Sequence, residues 1–504
     1  MGNNNTHMIP TKILFNIPQL YKFKYINNNL SKIINKIFKY YLKEYNTLVT
    51  NWESNCKLLV NKLIKFDKIE YFVFLLKNSR DQLTVLKYIN FYIGYYNKLS
   101  LLKYINLVNY QEIANGAAKV GNLKLVKYAV SKGAKNFNQI ASKAARGGFL
   151  EIVKYAVKNG ANNFDDIAEY AARAGHFYII EYAVRNGAKN FNEIASKAAR
   201  GGFLEIVKYA VKNGANNYFD IALSAAAGGY LRTLKYAVVK CNNCFNLIAS
   251  IAAFHGHLHI VEYAIDNGAN DLSAIAVNAA RSGNLNIVEY TVKKRFNNFN
   301  IISRAAVKGN YLNIIKYAVA NGANNFDTIG YYAASHGNLE ILKYAIENGF
   351  NDFDKAAEGA AKHGYLFIIE FLIKKGANDF DDVVYYAAKK GYLYIVEYFV
   401  SIKGFNDFNK IADGAVRGNH LDVLRYAVNK GANNLENLAY VAAEYGYLNI
   451  IKYIATKTSI NFNRISQLVF DTIGVSNEEK IRILHYALNH GANEYYIEKF
   501  ISGY

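Results

Sequence analysis

The sequence predicts an all-α solenoid of stacked helix–turn–helix units without evident β-hairpins. A 27-residue period runs through most of the 504-residue chain, and each period holds two short blocks of apolar residues at helical spacing. Proline is absent after Pro18, so glycine rather than proline must mark the helix boundaries beyond that point. Apolar residues make up 52% of the chain, which is ample material for a core.

The period is read most simply from one residue that follows each pair of alanines. This residue recurs at a constant interval, except that the step from Gly391 to Asn419 is longer because a loop at 401–404 holds an extra residue. Asn replaces Gly at Asn310 and Asn419, and Asn is the residue that best tolerates positive φ. We therefore predict a recurrent left-handed backbone at this position. The predicted structural repeat glycines are Gly148, Gly175, Gly202, Gly229, Gly256, Gly283, Gly337, Gly364, Gly391 and Gly446.

Residues 163–187 illustrate the two predicted helices of a unit. Asn163 is a good N-cap residue, and the acids that follow it suit the positive end of a helix dipole. The first helix is predicted from Phe164 to about Arg173, with Gly175 ending it. The second helix then runs to Gly187, which supplies a left-handed C-terminal cap. Helices of about ten residues are unstable alone in water, so the units must stack.

The string AARGGFLEIVKYAVKNGANN, residues 144–163, resembles the second half of an ankyrin repeat almost position by position. The resemblance covers about residues 110–457, and the short, Asn- and Tyr-rich form is similar to ankyrin repeat proteins of giant DNA viruses. An ankyrin unit has about 33 residues and a Thr-Pro-Leu-His stretch, whereas these units are six residues shorter and lack that stretch. The resemblance therefore implies stacked helix pairs without projecting hairpins.

This pattern divides the chain into four segments. Residues 1–60 form a basic, helical segment outside the repeat, 61–109 hold degenerate capping repeats, 110–457 form the repeat array, and 458–504 form a loop and a capping repeat. Net charge is +21, of which residues 1–110 carry +11. Residues 9–17 vaguely resemble the start of an F-box. The start at Gly2 fits either N-myristoylation or a disordered Asn-rich tail.

A basic residue follows the alanine pair in most units, and stacking would align these residues as a stripe. Such a stripe can bind nucleic acid or an acidic protein surface. Cations in the last turn of a helix are also favoured by its dipole, and we favour that structural explanation because the array is only mildly basic. The stripe consists of Lys119, Arg146, Arg173, Arg200, Arg281, Lys308, Lys362, Lys389 and Arg417.

A second candidate set is a position in the first helix that varies between units while its neighbours stay fixed. The resemblance implies that this position faces a binding groove, and tyrosine there offers a large contact area at low entropic cost. Drift on a solvated face explains the variation equally well. The set comprises Lys143, Tyr170, Lys197, Ser224, Ile251, Asn278, Tyr332, Tyr386 and Val441.

Other motifs give little support for chemistry. Cys241 and Cys244 precede His255, His257 and His259, but their spacing fits no standard zinc site, and two of these positions are ordinary repeat positions. Phosphate loops, nucleophile elbows and paired catalytic acids do not occur in the sequence. We therefore expect no enzyme activity and no cofactor or metal.

The sequence is best interpreted as a non-enzymatic scaffold for protein–protein interaction. If the resemblance to giant-virus proteins also reflects the origin of the chain, the scaffold is viral and acts on host proteins. One alternative is an electrostatic nucleic-acid binder. Another is an adaptor that recruits a ubiquitin-ligase-type machine through residues 1–60. No run of 18 apolar residues occurs, so we expect an intracellular, cytoplasmic protein without a transmembrane segment, located in the host cytoplasm if it is viral. We also expect a monomer.

Overall fold

The computed structural model describes residues 60–61, 64–65, 82–105, 107–241 and 244–502. All of these residues belong to one unit, Glu53–Tyr504. Every regular element among them is helical, which confirms the predicted all-α repeat solenoid. None of the helices in this described part is long and apolar enough to span a bilayer.

Fourteen helix pairs follow one another, and we number them units 1 to 14. The first helices are, in order, Tyr110–Lys119, Phe137–Gly147, Phe164–Ala174, Phe191–Gly201, Tyr218–Gly228, Phe245–His255, Leu272–Ser282, Phe299–Gly309, Phe326–Ser335, Phe353–Ala361, Asp381–Lys389, Phe408–Arg417, Leu435–Glu444 and Phe462–Asp471. The second helices are Leu123–Ser131, Leu150–Lys158, Phe177–Arg185, Leu204–Lys212, Leu231–Val238, Leu258–Asp266, Leu285–Lys293, Leu312–Ala320, Leu339–Glu347, Leu366–Lys375, Leu393–Ile402, Leu421–Lys430, Leu448–Ala455 and Asn477–Leu488.

Asparagine starts many of the first helices. In unit 2 the side chain of Asn136 accepts a hydrogen bond from the backbone N–H of Gln139 at 3.0 Å, which satisfies a donor that the helix leaves unpaired. Asn163 occupies the same position in unit 3 but makes no capping bond. Its amide donates instead to Ser142 at 2.9 Å and to Asp166 at 3.0 Å, so the expected side-chain cap is replaced by a contact with the preceding unit.

The first helices carry most of the packing between units. In unit 3, Ile167, Ala168, Ala171 and Ala172 are fully buried, and the same four positions are buried in the neighbouring units. Small alanine side chains allow the backbones of adjacent first helices to approach closely. The second helices bury their own stripe, such as Ile179, against the first helices and touch one another sparsely.

The recurrent glycines have two structural roles. Gly175 has a φ of +83°, and all ten glycines named from the sequence have positive φ, as do Asn310 and Asn419. In addition, a Cβ on Gly175 would lie 2.3 Å from the ring of Phe203, which belongs to the next unit. At eight of the ten glycines the missing side chain makes room for an aromatic or histidine ring, and at Gly256 and Gly446 the neighbour is instead Asn284 or Val475.

A ladder of hydrogen bonds links the units where an ankyrin repeat would place a hairpin. The second residue of a first helix accepts hydrogen bonds from one or two backbone N–H groups that start the next first helix. In unit 4, Asn192 accepts from Asn216 at 2.8 Å and from Asn217 at 3.0 Å. The accepting residues are Gln111, Asn138, Asp165, Asn192, Asn246, Asn300, Asp354 and Asn409.

The array begins on an additional helix, Gln82–Tyr96, which packs against the first helix of unit 1. Residues 83–88, within the segment expected to hold degenerate capping repeats, belong to this longer helix, which packs where a preceding first helix would lie. Two glycines permit the contact, because a Cβ on Gly94 would lie 2.1 Å from the Ile113 carbonyl oxygen. Residues 99–104, within the same segment, form the 3-10 helix Leu99–Tyr104.

At the other end, unit 14 contains the longer loop that the sequence indicated. Ser476 caps its second helix by accepting from the N–H of Glu479 at 3.3 Å, while its hydroxyl donates to the Glu479 carboxylate at 2.8 Å. One further helix, Tyr495–Ile501, follows this unit and was not expected from the sequence.

Candidate functional site

Most first helices present a polar row on the side opposite their buried alanines. In unit 3 this row consists of Asp166, Glu169, Tyr170 and Arg173, at the third, sixth, seventh and tenth helix positions, whereas the fourth, fifth, eighth and ninth are buried. The 3.6-residue period of the helix places the two sets on opposite sides. We call the surface formed by the outward positions of all the first helices the first-helix face.

All nine candidate partner-binding residues lie on the first-helix face. Tyr170 is 40% exposed. The other eight divide into two groups by exposure: Arg146, Arg173 and Arg200 are exposed, and Lys143, Lys197, Tyr332, Tyr386 and Lys389 are half-buried.

Residues of the basic stripe contact residues at the variable position, although the sequence analysis considered the two sets separately. The ammonium of Lys308 lies 5.2 Å from the ring centre of Tyr332, and that of Lys362 lies 4.0 Å from the ring centre of Tyr386. Each pair joins a basic residue of one unit to a tyrosine of the next. The cation–π contact fixes both side chains in place on the surface.

At the beginning of the array the face forms a groove of about 560 Å³. It lies between the helix Gln82–Tyr96 and units 1 to 3, and Lys143, Arg146 and Tyr170 line it together with amide side chains such as Asn138. The structure thus brings three candidate residues into one concave surface.

Acidic residues on the same face neutralise part of its positive charge. Glu193 pairs with Lys197 at 2.7 Å, and Asp413 accepts from Arg417 at 3.0 and 3.1 Å. Glu169 is half-buried beside this region; its pKa is raised, mainly by desolvation and then by the charge of Glu193. The face therefore mixes both signs of charge.

The sequence analysis missed Glu358 in unit 10. Its side chain is buried and accepts hydrogen bonds from Lys355 and Lys362. Desolvation by itself would raise the pKa of Glu358, but the hydrogen bonds and charges of the two lysines outweigh it and hold the pKa below the usual value. The sequence pattern that could have identified Glu358 is a glutamate with one lysine three residues before it and another four residues after it.

Comparison with known protein families identifies the central units. Residues 302–382 match the family described as ankyrin repeats, in three copies. These units are ankyrin repeats. The helix pairs on both sides of this segment continue the same period and the same buried positions. No curated protein matches the sequence.

Two solved structures show weak similarity to this chain. The pentatricopeptide repeat protein PPR10 from maize is 11% identical, with a TM-score of 0.27, over 99% of this chain and 97% of that chain. The same protein in complex with an 18-nucleotide psaJ RNA element is 11% identical, with a TM-score of 0.29, over 97% and 88%. Similarity this low carries no implication for what the ankyrin repeats here bind.

The cysteine and histidine residues near unit 6 serve the packing of the repeat array. The sulfur atoms of Cys241 and Cys244 form a disulfide, which the sequence did not predict. Burial lowers the pKa of His257, whose Nε2 lies 3.3 Å from the Ala227 carbonyl oxygen. Within the described ranges no group of three or more His, Cys, Asp or Glu side chains is placed to hold a metal ion.

Several of the sequence expectations fall on the part of the chain before residue 60. The F-box resemblance at residues 9–17, the myristoylation pattern at Gly2 and the role of residues 1–60 as a separate segment lie outside the described residues.

Proposed function

We propose that the chain is a non-enzymatic repeat scaffold that binds a partner protein along its first-helix face. The observation that carries this proposal is the pairing of Lys362 with Tyr386 and of Lys308 with Tyr332 across neighbouring units. Tyrosines that are held in place before binding lose little entropy when a partner covers them, and tyrosine is enriched among the residues that dominate binding energies. No catalytic arrangement is needed for this role.

Nucleic-acid binding is the second candidate function. It is favoured by Arg146, Arg173 and Arg200, which are exposed, occupy the same position in three successive units and form no ion pair among the described residues. A protein partner is favoured over nucleic acid by Glu193, Glu358 and Asp413, which neutralise basic residues of the same face. Phosphate binding gains most from a surface of a single charge.

An adaptor function, with residues 1–60 recruiting a degradation machine, is a special form of the first proposal. It is tested by affinity capture with the full chain and with a chain that lacks residues 1–60. The adaptor idea predicts that only the full chain retains ubiquitin-ligase components. Identical sets of bound proteins for the two chains contradict it.

The main proposal is tested by affinity capture with the full-length chain at about 50 and about 200 mM salt, the range over which phosphate contacts weaken most visibly. A variant with Tyr170, Tyr332 and Tyr386 changed to alanine is compared with the wild type, and Tyr178→Ala, at an exposed site of a second helix, is the matched control. We expect the wild type to retain the same proteins at both salt concentrations. We expect the amount of these proteins that is captured to fall at least tenfold with the triple variant and to stay unchanged with the control. Nuclease-sensitive material that is lost at the higher salt concentration favours nucleic acid instead.

A further inference from the structure

The first helices of units 5 and 6 depart from the amphipathic pattern of their neighbours. Apolar side chains occupy four of their outward positions, at Leu223, Leu247, Ile251 and Phe254, and also the second position of the first helix of unit 5, at Phe219. We call these five residues the apolar patch. Phe219 and Leu247 are each 44% exposed and Phe254 is 45% exposed, and the other two are half-buried. The outward side of these two helices is therefore more apolar than that of their neighbours, although Asp220 and Ser224 are polar. An exposed apolar patch of this kind is typical of a surface that binds a partner.

Stacking of the units does not require the apolar patch. The core of unit 5 is filled by Ile221, Ala222, Ala225 and Ala226, all fully buried, as in every neighbouring unit. Unit 4 has the same backbone with polar residues at the corresponding positions. Asn192 corresponds to Phe219, Glu193 to Leu247 and Arg200 to Phe254.

Basic side chains lie on both flanks of the apolar patch. Arg200 of unit 4 borders it on one side, close enough to His255 that its charge contributes to the lowered pKa of that histidine, after desolvation. Arg281 of unit 7 and Arg304 of unit 8 are exposed on the other side, and the first helices of units 7 and 8 contain no acidic residue. Among the described residues these three arginines form no ion pair.

The acids nearest the patch leave its flanks net positive. On the side of unit 4, Glu193 is paired with Lys197 at 2.7 Å. Asp220 accepts from the neutral amide of Asn217 at 2.6 Å and keeps its charge, but it belongs to unit 5 and not to a flank. On the other flank Arg281 and Arg304 outnumber Asp271, which accepts from the backbone N–H of Ala274 at 2.9 Å. An apolar centre between two basic flanks is complementary to apolar side chains between two acidic groups.

We propose that the apolar patch binds a segment of a partner protein in which apolar side chains are flanked on both sides by acidic residues. This inference rests on the proposed function and specifies where on the first-helix face the partner binds. Charge argues against occupation by this chain's own residues 1–60, which contain eight basic and two acidic residues.

The spacing of the units sets the length of that segment. Packed helices lie about 8–10 Å apart, so the three steps from unit 4 to unit 7 span about 24–30 Å between the basic flanks. A helix rises about 1.5 Å per residue, so a helical partner segment would have about 16–20 residues between its acidic ends.

The test uses a variant in which the three most exposed residues of the patch are replaced by the residues that unit 4 carries there: Phe219→Asn, Leu247→Glu and Phe254→Arg. The replacements leave net charge unchanged and use residues that the same backbone accommodates in unit 4. Tyr178→Ser on an exposed second-helix site is the control. If thermal unfolding shows that the triple variant is less stable than the wild type, the single variant Phe254→Arg is measured in its place.

The probe is a synthetic helical peptide with Leu and Phe on one side of a centre of about 16 residues, the length set by the helical rise, and four Glu at each end. A second peptide carries Lys in place of Glu. By fluorescence anisotropy with the full-length chain, we expect the Glu peptide to bind at least tenfold more tightly than the Lys peptide. We expect the triple variant to lose at least tenfold in affinity, Phe254→Arg about threefold, and the control none.

Equal affinity of the wild type and the triple variant for the Glu peptide overturns the inference, as does equal affinity of the two peptides for the wild type. Sedimentation that finds a wild-type dimer and a monomeric triple variant also overturns it, because the patch then joins two copies. None of these results affects capture through Tyr170, Tyr332 and Tyr386, so the proposed function is tested separately.

Discussion

The carboxylate of Asp165 accepts a hydrogen bond from the backbone N–H of Lys189, which lies one unit further along the chain, at 2.7 Å. The same oxygen accepts from Asn190 at 2.9 Å. Donors at the start of a helix have no partner within the helix, so a side chain from the preceding unit supplies one. Units without hairpins are thereby linked at their loops as well as at their alanine pairs.

The ladder predicts that Asn192→Ala destabilises the array. The N–H groups of Asn216 and Asn217 lose their acceptor, and because the site is exposed, water replaces part of the interaction. We expect a loss of about 1 kcal/mol in the free energy of unfolding by urea. Ser273→Ala in unit 7 is the control, because this position makes no such bond. Equal losses in the free energy of unfolding for the two substitutions would contradict a stabilising role for the ladder.

Two glycines allow the backbone and steric roles of glycine to be separated. Gly160 has a φ of +105° and nothing within 4 Å of an added Cβ, whereas Gly175 has a φ of +83° and the Phe203 ring at 2.3 Å. We expect Gly160→Ala to cost about 1–2 kcal/mol from the backbone alone, and Gly175→Ala to cost more because the ring must move. Thermal unfolding of both variants measures the difference.

Asparagine provides the check on that interpretation. Asn310 and Asn419 hold positive φ at the position of Gly175, so Gly160→Asn should cost less than Gly160→Ala. An asparagine variant that is no more stable than the alanine variant would contradict the backbone explanation.

The sequence predicted the helix pairs of the fold because the spacing of the apolar residues follows from which side of each helix is buried. Ile167, Ala168 and Ala171 recur at the spacing that a buried helix side requires, and they are fully buried. The sequence did not predict the helix Gln82–Tyr96, because its contact with unit 1 depends on Gly94, which lies outside the repeat, as well as on Gly116 of unit 1.

Less of the candidate site could be predicted. Helical geometry placed Tyr386 on an outward position, but its contact with Lys362 depends on how two units are stacked. The ladder joins exposed polar residues to backbone N–H groups, and a search for apolar periodicity does not detect such bonds. The recurrence of Asn or Asp as the second residue of the first helix was the available signal. The apolar patch could not be recognised from the sequence alone, because the structure is needed to show which helix positions face outward.

The contact between Lys362 and Tyr386 predicts an energetic coupling between units 10 and 11. In a double-mutant cycle with Lys362→Met and Tyr386→Leu, we expect a coupling energy of about 0.5–1 kcal/mol in urea unfolding. The cycle cancels the separate loss of the bond between Lys362 and Glu358. Lys389 and Tyr385, 5.8 Å apart, provide a control pair with a weaker expected coupling. Coupling that is equal in the two pairs would mean that distance to the ring does not matter here.

Glu358 predicts a loss of stability in acid. Hydrogen bonds and charges from Lys355 and Lys362 outweigh desolvation and hold its pKa below the ordinary value of 4.5. A carboxylate with a lowered folded-state pKa contributes stability above the unfolded pKa and loses it as the pH falls toward the folded value. Glu358→Gln should therefore cost about 1–2 kcal/mol at pH 7, a figure reduced because both lysines are partly exposed.

The pH dependence separates this charge effect from packing. The difference in urea midpoint between the wild type and Glu358→Gln should shrink as the pH falls below 4.5, because the wild-type carboxylate becomes protonated as well. Glu205→Gln removes an exposed carboxylate paired with Lys208 at the same sequence spacing and should change little at any pH. A Glu358→Gln deficit that stays constant from pH 7 to pH 3 would show that the side chain acts through its shape and not through its charge.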